Sequence, residues 1–541
     1  MFPQIRFLTS IISFLPAFLP PHDRLPPENQ PARNHLTIQN SRTSQGDSSQ
    51  IPSDLAGLLL RPSPFVRVIF THMTNGTSPQ SHSADSADAS PHGTASSGSR
   101  DSNSSRGLRG TGARLRARFA TSAAHAATWA SRKSGRGAGG MIGGLIAQKI
   151  DPRILASLGK GRPAAIITGT NGKSTTTRMF AAAMRAAGHN VATNEGGDNM
   201  DAGIISALLA TPDADSLVLE VDELHVPHIA ADLKPQVLVL LNLSRDQLDR
   251  VGEINKIEAT LRAAVDANPQ ATVIANCDDP LIASAAWDAK KVIWVSAGGG
   301  WTNDATSSPR TGGPIIQDGH NWYAVKPLPD GSEFKRPEPD YRITAEGVIT
   351  PAGDTLPMNL TLPGNANRGN ATMAIAGAVD MGMELEKSLR ATETVDNVAG
   401  RYSTMIVRDD KGGEKHVRML LAKNPAGWQE ALSMVDRTAD AVVIAVNGHV
   451  ADGEDLSWLW DVRFEDFDGM DVLSAGERGT DLAVRLLYAG IDARLVANPL
   501  QAIRSCEARG SSSSVTRVEV LANYTAFRDL KRDIERAQEE K

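Results

Sequence analysis

A doubly wound α/β fold followed by a second, smaller α/β domain is the architecture that this 541-residue sequence predicts. Three observations carry that prediction. From Pro163 onward, short apolar runs alternate with helix-length segments, the pattern of a parallel sheet covered on both faces. The first run leads into TGTNGKST at 168–175, a glycine turn that opens an Ala-rich amphipathic segment. A second alternation of strands and helices fills 401–541 after a loop-rich interruption.

At the start of the chain, FLTSIISFLPAFL (7–19) is apolar over about the length of a signal-peptide core. Pro16 interrupts it, Pro20 and Pro21 follow it, and a small-residue cleavage site is missing, so an unstructured start is expected. No other run reaches the ~20 apolar residues of a spanning helix, and no transmembrane segment is expected. Residues 22–112 are dominated by Ser, Pro, Asn, Asp, Thr and Gly, a composition that cannot offset the entropy of ordering; 1–112 is read as a disordered extension. LRARFATSAAHAATWASRKSGRG (115–137) and GMIGGLIAQKI (140–150) suggest a helix with a cationic face and a Gly-rich turn, docked on the next domain.

The first folded domain is expected over 113–395, with strands at AAIIT (164–168), SLVLEV (216–221), QVLVLLNL (236–243), ATVIAN (271–276) and KVIWVS (291–296). Between about 298 and 350 the alternation breaks into Gly-, Pro-, Asp- and Trp-containing loops, read as an insertion, and helical character returns at GNATMAIAGAVDMGM (369–383). The second domain, 396–541, has strand candidates VRMLLA (417–422), AVVIAV (441–446) and RVEVLA (517–522).

Composition limits the possible functions. Apolar residues make up 41% and charged residues 22%, as in ordinary soluble proteins, and a net charge of −6 offers nucleic acid no general attraction. Two cysteines, Cys277 and Cys506, exclude both a disulfide framework and a four-thiolate metal site, and fit a reducing cytoplasm.

The turn at 168–175 reads as a phosphate cradle. Gly169 and Gly172 stand where the backbone must turn sharply and approach a ligand. The helix starting near Ser174 would aim its free N–H groups and positive dipole end at the same place. Lys173 would reach the β and γ phosphates, and the Ser174 hydroxyl would ligate Mg²⁺. Phe180 and Met184, four apart, give this helix a buried stripe, and Gly188 stops it. The common pattern has a glycine six residues before the lysine; Ile167 stands there instead, so this is not the usual GTPase form. Acidic residues follow at the ends of later strands, where open α/β sheets bind ligands. Glu220, Asp222 and Glu223 in VLEVDE are alternative Mg²⁺ carboxylates, and Asn242, Asp246, Asp249 and Arg250 follow the next strand.

GTNGKST, DQLD (246–249), NCDDP (276–280) and GNANRGNATMAIAGA (364–378) together resemble the central domain of Mur ligases. NEGGDNMDAGIISALL (194–209), AGRYST (399–404), LLAKNPAGWQEAL (420–432) and ADGEDLSWLWDVRFE (451–465) resemble the MurT branch of that superfamily, so that the likeness covers roughly 113–541. The resemblance implies a doubly wound parallel-sheet Mur ligase central domain with a degenerate ribbon insertion, plus the smaller C-terminal α/β domain. It also implies an ATP- and Mg²⁺-dependent carbon–nitrogen ligase subunit that acts in peptidoglycan synthesis at the inner face of the membrane. Such a subunit activates the D-glutamate α-carboxylate of the lipid II stem peptide as an acyl phosphate. The product is D-isoglutamine, made with ammonia that a GatD-type glutaminase partner releases from glutamine.

By the same resemblance, Gly169, Thr170, Asn171, Gly172, Lys173, Ser174 and Thr175 hold ATP, with Asn367, Asn370 and Arg401 near the nucleotide. Ser174 and Glu220 are assigned to Mg²⁺, and Asn199 to the substrate side. An aspartate of the C-terminal domain completes the partner's Cys–His pair by orienting its histidine, and Asp455 is the choice, with Asp452 and Asp461 as alternatives. The rival readings are a free-standing Mur or folylpolyglutamate-type amino acid ligase and a non-catalytic nucleotide-binding remnant.

MurT-type chains generally carry a four-cysteine zinc ribbon. Here SPRTGGPIIQDGHNWYAVKPLPDGSEFKRPEPDY (308–341) keeps the outline, but Ser308, Thr311 and Ala324 stand at cysteine positions. Hydroxyls and a methyl group cannot replace thiolates around Zn²⁺, so no zinc is expected. Gly turns and the packing of Trp322 and Tyr323 are expected to hold the ribbon instead. A second departure, VNGHVADG (446–453), concerns the glutaminase contact.

Overall fold

The computed structural model describes residues 120–123, 141–194, 197–245, 253–298, 304–319, 321–396, 402–453, 455–465, 467, 470–509 and 515–539. The expected disordered extension and most of 115–137 lie outside the described residues, as do Asp246, Asp249, Arg250 and Arg401.

The segment expected to be a Gly-rich turn is helical: α1 spans Ile142–Ile150 and buries Gly143 and Gly144. A Cβ on Gly144 would lie 1.8 Å from the Ala202 carbonyl oxygen, and the Gly144 N–H donates to Ser206 Oγ at 2.8 Å. Gly144 serves close helix packing rather than a turn.

After α2 (Ile154–Gly159), the chain enters the central sheet with β1 (Ala164–Thr168). It then winds through α3 (Lys173–Ala186), β2 (Val191–Ala192), α4 (Asp201–Ala210), β3 (Ser216–Glu220), α5 (Val226–Leu233) and β4 (Val237–Leu240). α6 (Glu253–Ala267), β5 (Thr272–Asn276), α7 (Pro280–Ala286) and β6 (Val292–Ser296) continue it. Strands β1, β3, β4 and β5 are buried along their whole length, which is why they read as continuous apolar runs. Alternate side chains of β1 enter opposite cores, Ala164 and Ile166 on one face of the sheet and Ala165 and Ile167 on the other. Phe180 and Met184 of α3 are fully buried in the second of these cores, and Gly188 past the helix end takes φ 95°.

The interruption holds more regular structure than its loops suggest. β7 (Ile315–Asp318) and β8 (Asn321–Ala324) pair as a separate two-stranded hairpin, the ribbon. β9 (Tyr341–Ile343), β10 (Gly347–Ile349) and β11 (Thr355–Pro357) rejoin the central sheet, which has nine strands in the order β11-β10-β9-β6-β5-β4-β1-β3-β2. Everything from β2 to β9 pairs in parallel, and β10 and β11 add an antiparallel edge.

In the ribbon, Trp322 is buried, with its ring centroid 5.0 Å from that of Phe334, which in turn lies 4.9 Å from Trp287. Tyr323 departs from the expectation. It is exposed, because successive residues of β8 face opposite ways and Trp322 takes the core side.

α8 (Asn365–Asp380) and α9 (Leu385–Glu393) pack on α3. The C-terminal domain comprises β12 (Tyr402–Arg408), β13 (Glu414–Leu421), α10 (Pro425–Met434), β14 (Ala441–Ala445), a 3₁₀ turn at Ser457–Trp460, β15 (Asp471–Ala475) and α11 (Gly479–Tyr488). It ends with β16 (Arg494–Leu495), α12 (Pro499–Arg504), β17 (Val515–Ala522) and α13 (Tyr524–Glu539). Its sheet runs β12-β13-β17-β14-β15-β16, parallel apart from the β12–β13 hairpin.

Candidate active site

β1 lies between β3 and β4, so neighbouring connections leave in opposite directions at its carboxyl end. That switch point is where an open α/β sheet offers its crevice, and the glycine turn sits in it. Gly169 takes φ 130° and Gly172 φ 86°, in the region that side chains disfavour. A Cβ on Gly169 would come within 2.9 Å of the Asn242 backbone, and one on Gly172 within 2.5 Å of Asn370 Oδ1. The first glycine fits the turn against the next strand end; the second leaves room beside the Asn370 amide of α8.

Asparagine side chains fix the turn. The Asn171 N–H donates to Asn242 Oδ1 at 2.9 Å, and Asn242 Nδ2 donates to the Asn171 carbonyl at 3.0 Å. Thr170 N–H donates to the Asn242 carbonyl at 2.8 Å, while Thr170 Oγ1 and Ser244 exchange bonds of 3.0 and 3.2 Å. Thr175 is buried in the first turn of α3.

The three acidic candidates separate by their partners. Ser174 Oγ donates to Glu220 Oε2 at 2.8 Å, and Asn199 Nδ2 reaches Glu220 Oε1 at 3.3 Å. The Glu220 backbone is itself clamped by Asn194, which accepts its N–H at 2.9 Å and donates to its carbonyl at 2.7 Å. Glu223 instead pairs with Lys173 at 3.3 Å, and the ammonium also donates to the Gly169 carbonyl at 2.6 Å. Asp222 accepts the Leu224 N–H at 3.2 Å and closes its own turn. Glu220, Ser174 and Asn199 therefore converge, with Lys173 and Glu223 alongside; the Asp222 carboxylate is turned to its own loop.

NCDDP supports the site from behind. Asp279 caps α7 by accepting the Leu281 and Ile282 N–H groups and also takes the Leu243 N–H at 2.7 Å. Desolvation in its partly buried position pushes its carboxyl up to about 6 against the pull of those three bonds. Asp278 accepts from Ser296 and from the Gly298 N–H, and pairs with Arg336 of the ribbon at 2.7 Å. Trp322 Nε1 donates to the Cys277 carbonyl at 2.9 Å, a second tie between ribbon and sheet. Ser308 is buried, and its hydroxyl accepts the Thr311 N–H at 3.1 Å, closing the knuckle; Ala324 N–H donates to the Phe334 carbonyl at 2.8 Å.

The C-terminal domain touches this site. Asn171 Nδ2 lies 3.4 Å from Asn424 Oδ1, the residue that caps α10. Asn367 donates to the Tyr402 hydroxyl at 3.1 Å, which donates in turn to Met434 Sδ at 2.9 Å. A narrow cleft between the two sheets is lined by Asn171, Tyr402, Lys423, Gly427 and Glu430. Asn194, Ser244 and Asn424 escaped the sequence reading. The first and last lie inside quoted family phrases, but only long-range hydrogen bonds reveal their work.

The three C-terminal aspartates also differ. Asp452 accepts from the Thr525 N–H at 2.8 Å and from the Thr525 hydroxyl, holding the first turn of α13. Asp461 stands 3.9 Å from Arg245 of the central domain. Asp455 is exposed; the Ser457 N–H and hydroxyl hold its carboxyl below the usual range. Trp458 beside it is buried, whereas Trp460 is exposed and meets Tyr488 edge-on. Among the described residues, no helix is long and apolar enough to cross a membrane.

Comparison with known proteins fits this geometry. A family model described as "Mur ligase middle domain" matches 167–378, and one described as "MurT ligase C-terminal" matches 421–527. Among solved structures, the chain is similar to a pseudomurein peptide ligase type C from Methanothermus fervidus, with TM-score 0.52, 16% identity and coverage of 71% of this chain and 81% of that one. Likeness at that identity establishes the fold. Among proteins of assigned function, it is 27% identical to the lipid II isoglutaminyl synthase subunit MurT of Staphylococcus aureus, over 68% of this chain and 87% of that one. It is 30% identical to the subunit of the same name from Streptococcus pneumoniae over 425 residues, 73% of this chain and 92% of that protein. With that identity spanning almost the whole relative and both family regions matched in order, the chain belongs to the MurT family.

Proposed function

We propose that the chain is the ATP-dependent ligase subunit of a glutamine-hydrolysing amidotransferase that converts the D-glutamate of lipid II to D-isoglutamine. The observation that carries the reading is the convergence of Ser174, Glu220 and Asn199 beside Lys173 at the start of α3, in a chain that belongs to the MurT family. A carboxylate resists ammonia until one of its oxygens becomes a leaving group, and ATP supplies the phosphoryl group that makes it one. Ammonia then forms the C–N bond as the C–O bond to phosphate breaks and a proton is released.

The residues present fit the nucleotide and its ion. Gly172, with no Cβ, lets the Asn370 amide close on the turn, and the free N–H groups at the start of α3 open into it. Gly169, Thr170, Asn171 and Thr175 complete the cradle, with Asn367 and Asn370 toward the nucleotide; Arg401, assigned there by the family resemblance, lies outside the described residues. Ser174 and Glu220 offer the hard oxygen donors that Mg²⁺ takes, and the ion would spread charge from the phosphates. Lys173, freed from Glu223 and the Gly169 carbonyl, would meet the β and γ oxygens. Asn199, sharing Glu220, would face the acceptor carboxylate.

The nitrogen half is assigned to a GatD-type glutaminase. Asp455 is the residue proposed to orient that partner's histidine, because Asp452 is engaged with α13 and Asp461 faces Arg245, while Asp455 is exposed. The ribbon is proposed to work without zinc, supported by Ser308, Thr311 and Ala324 at the cysteine positions and by the Trp322 and Arg336 ties. Action at the inner membrane face follows from the lipid-linked substrate.

The test is amidation of lipid II by the purified chain with a glutaminase partner, ATP, Mg²⁺ and either glutamine or ammonia. Asp455→Ala is expected to abolish glutamine-driven amidation while ammonia still supports it. Lack of product from either nitrogen source with the unaltered pair would sink the reading.

A further inference from the structure

We infer that Asp201, His225 and His228 form a second cation site, suited to a divalent transition metal such as Zn²⁺ or Co²⁺ and separate from the Ser174–Glu220 pair. Asp201 is the first residue of α4. His225 stands at the N-cap position of α5, and His228 lies three residues on, so one helix start presents two imidazoles on one side. Both rings address the same carboxylate: His225 Nδ1 lies 2.6 Å from Asp201 Oδ2, and His228 Nε2 contacts Asp201 Oδ1. The candidate ligand atoms of all three residues lie within 4.8 Å of one another. Four ligands at ~2.0–2.1 Å around a tetrahedral ion stand about 3.4 Å apart, so small side-chain shifts would seat one.

Donor chemistry separates this cluster from the phosphate site. Two imidazole nitrogens and one carboxylate oxygen suit zinc, cobalt, nickel or ferrous iron, whereas Mg²⁺ prefers oxygen alone. Exposure is graded in the way an open coordination site requires. The side chains of Asp201 and His225 are 16% and 29% exposed, and that of His228 is 53% exposed, leaving a side open for water or an anionic ligand.

Backbone hydrogen bonds already hold the two contributing loops together. The His225 N–H donates to the Asp222 carbonyl at 2.9 Å, and the Asp222 N–H donates to the Asn199 carbonyl at 3.0 Å. An ion here would therefore tie the segment bearing Asn199 to the loop bearing Glu223. It would stiffen two sides of the proposed active site without touching the phosphate cradle.

The full chain, stripped with chelator and returned to chelator-free buffer, should be titrated with Co²⁺ and then Zn²⁺. The visible d–d bands of cobalt report imidazole ligation, and Zn²⁺ should displace them. One equivalent is expected, weakened at least about tenfold by His228→Gln or by His225→Gln, variants whose melting in chelator should match the unaltered chain. Glu220→Gln and Ser308→Ala should keep the bands, which separates this site from the magnesium position and from the ribbon. Absence of bands at about 100 µM Co²⁺, or bands unchanged in the double histidine variant, would show a His–Asp–His hydrogen-bonded clamp and overturn the proposal. Amidation need not be measured, so failure here and failure of the ligase reading remain distinguishable.

Discussion

The glycine turn and the ribbon hold their shapes in different ways. In the turn, Gly169 and Gly172 stand where a Cβ would clash, Lys173 supplies an ammonium and Ser174 a hydroxyl that meets Glu220. The ribbon has no cysteine and keeps its shape through an indole N–H to the Cys277 carbonyl, the Arg336–Asp278 pair and the Trp322–Phe334–Trp287 cluster. Shape can be rebuilt from several kinds of contact. A place for a phosphate depends on the few groups that face it.

Breaking the ribbon should cost stability and little chemistry. Trp322→Ala removes a fully buried indole and its hydrogen bond, and is expected to cost about 3–5 kcal/mol in urea unfolding while ATP affinity of the folded fraction is kept. If stability were unchanged, the aromatic cluster would not be what holds the ribbon. Lys173→Ala should act on the chemistry: ATP turnover of the folded fraction falls about 10²–10³-fold, beside a loss of stability from leaving Glu223 without its ammonium. Residual turnover near that of the unaltered chain would remove Lys173 from the site.

The support behind the turn should respond to pH. In the folded chain Asp279 titrates at about 6, above the ~3.9 of an unfolded aspartate, so the unfolded chain ionises first as pH rises. Its contribution to stability is whole below about pH 4 and is lost as pH rises through about 6. Relative to Asp279→Asn, the unaltered chain should lose up to roughly 3 kcal/mol across that window. Parallel profiles for the two proteins would mean that burial does not raise this carboxyl. Ser308→Ala tests the smallest effect: loss of the hydroxyl that accepts the Thr311 N–H should cost about 1 kcal/mol. No change would leave the knuckle to its glycines and to Trp322.

Strands β1, β3, β4, β5 and β6 were legible because a sheet covered on both faces writes itself as apolar runs. The glycine turn was legible because its residues are neighbours in sequence. β7 to β11 were not, since strands of three or four residues carry too short a pattern. Gly143 and Gly144 misled for a different reason. A glycine needed for close packing and one needed for a turn look alike until Ala202 is seen against the helix. The choice among Glu220, Asp222 and Glu223 turned on partners 46 and 50 residues away, Ser174 and Lys173, which no local pattern encodes.

The ribbon closed by Ser308, Trp322 and Arg336 contains no thiol, which bears on how this protein meets oxidants. Peroxide strips zinc ribbons by oxidising their thiolates; here it would find serine, threonine and alanine. The two cysteines the chain does have are buried, and burial pushes both thiols well above their usual range, so neither supplies much thiolate. Peroxide concentrations that unfold a thiolate-bound ribbon should leave this one folded.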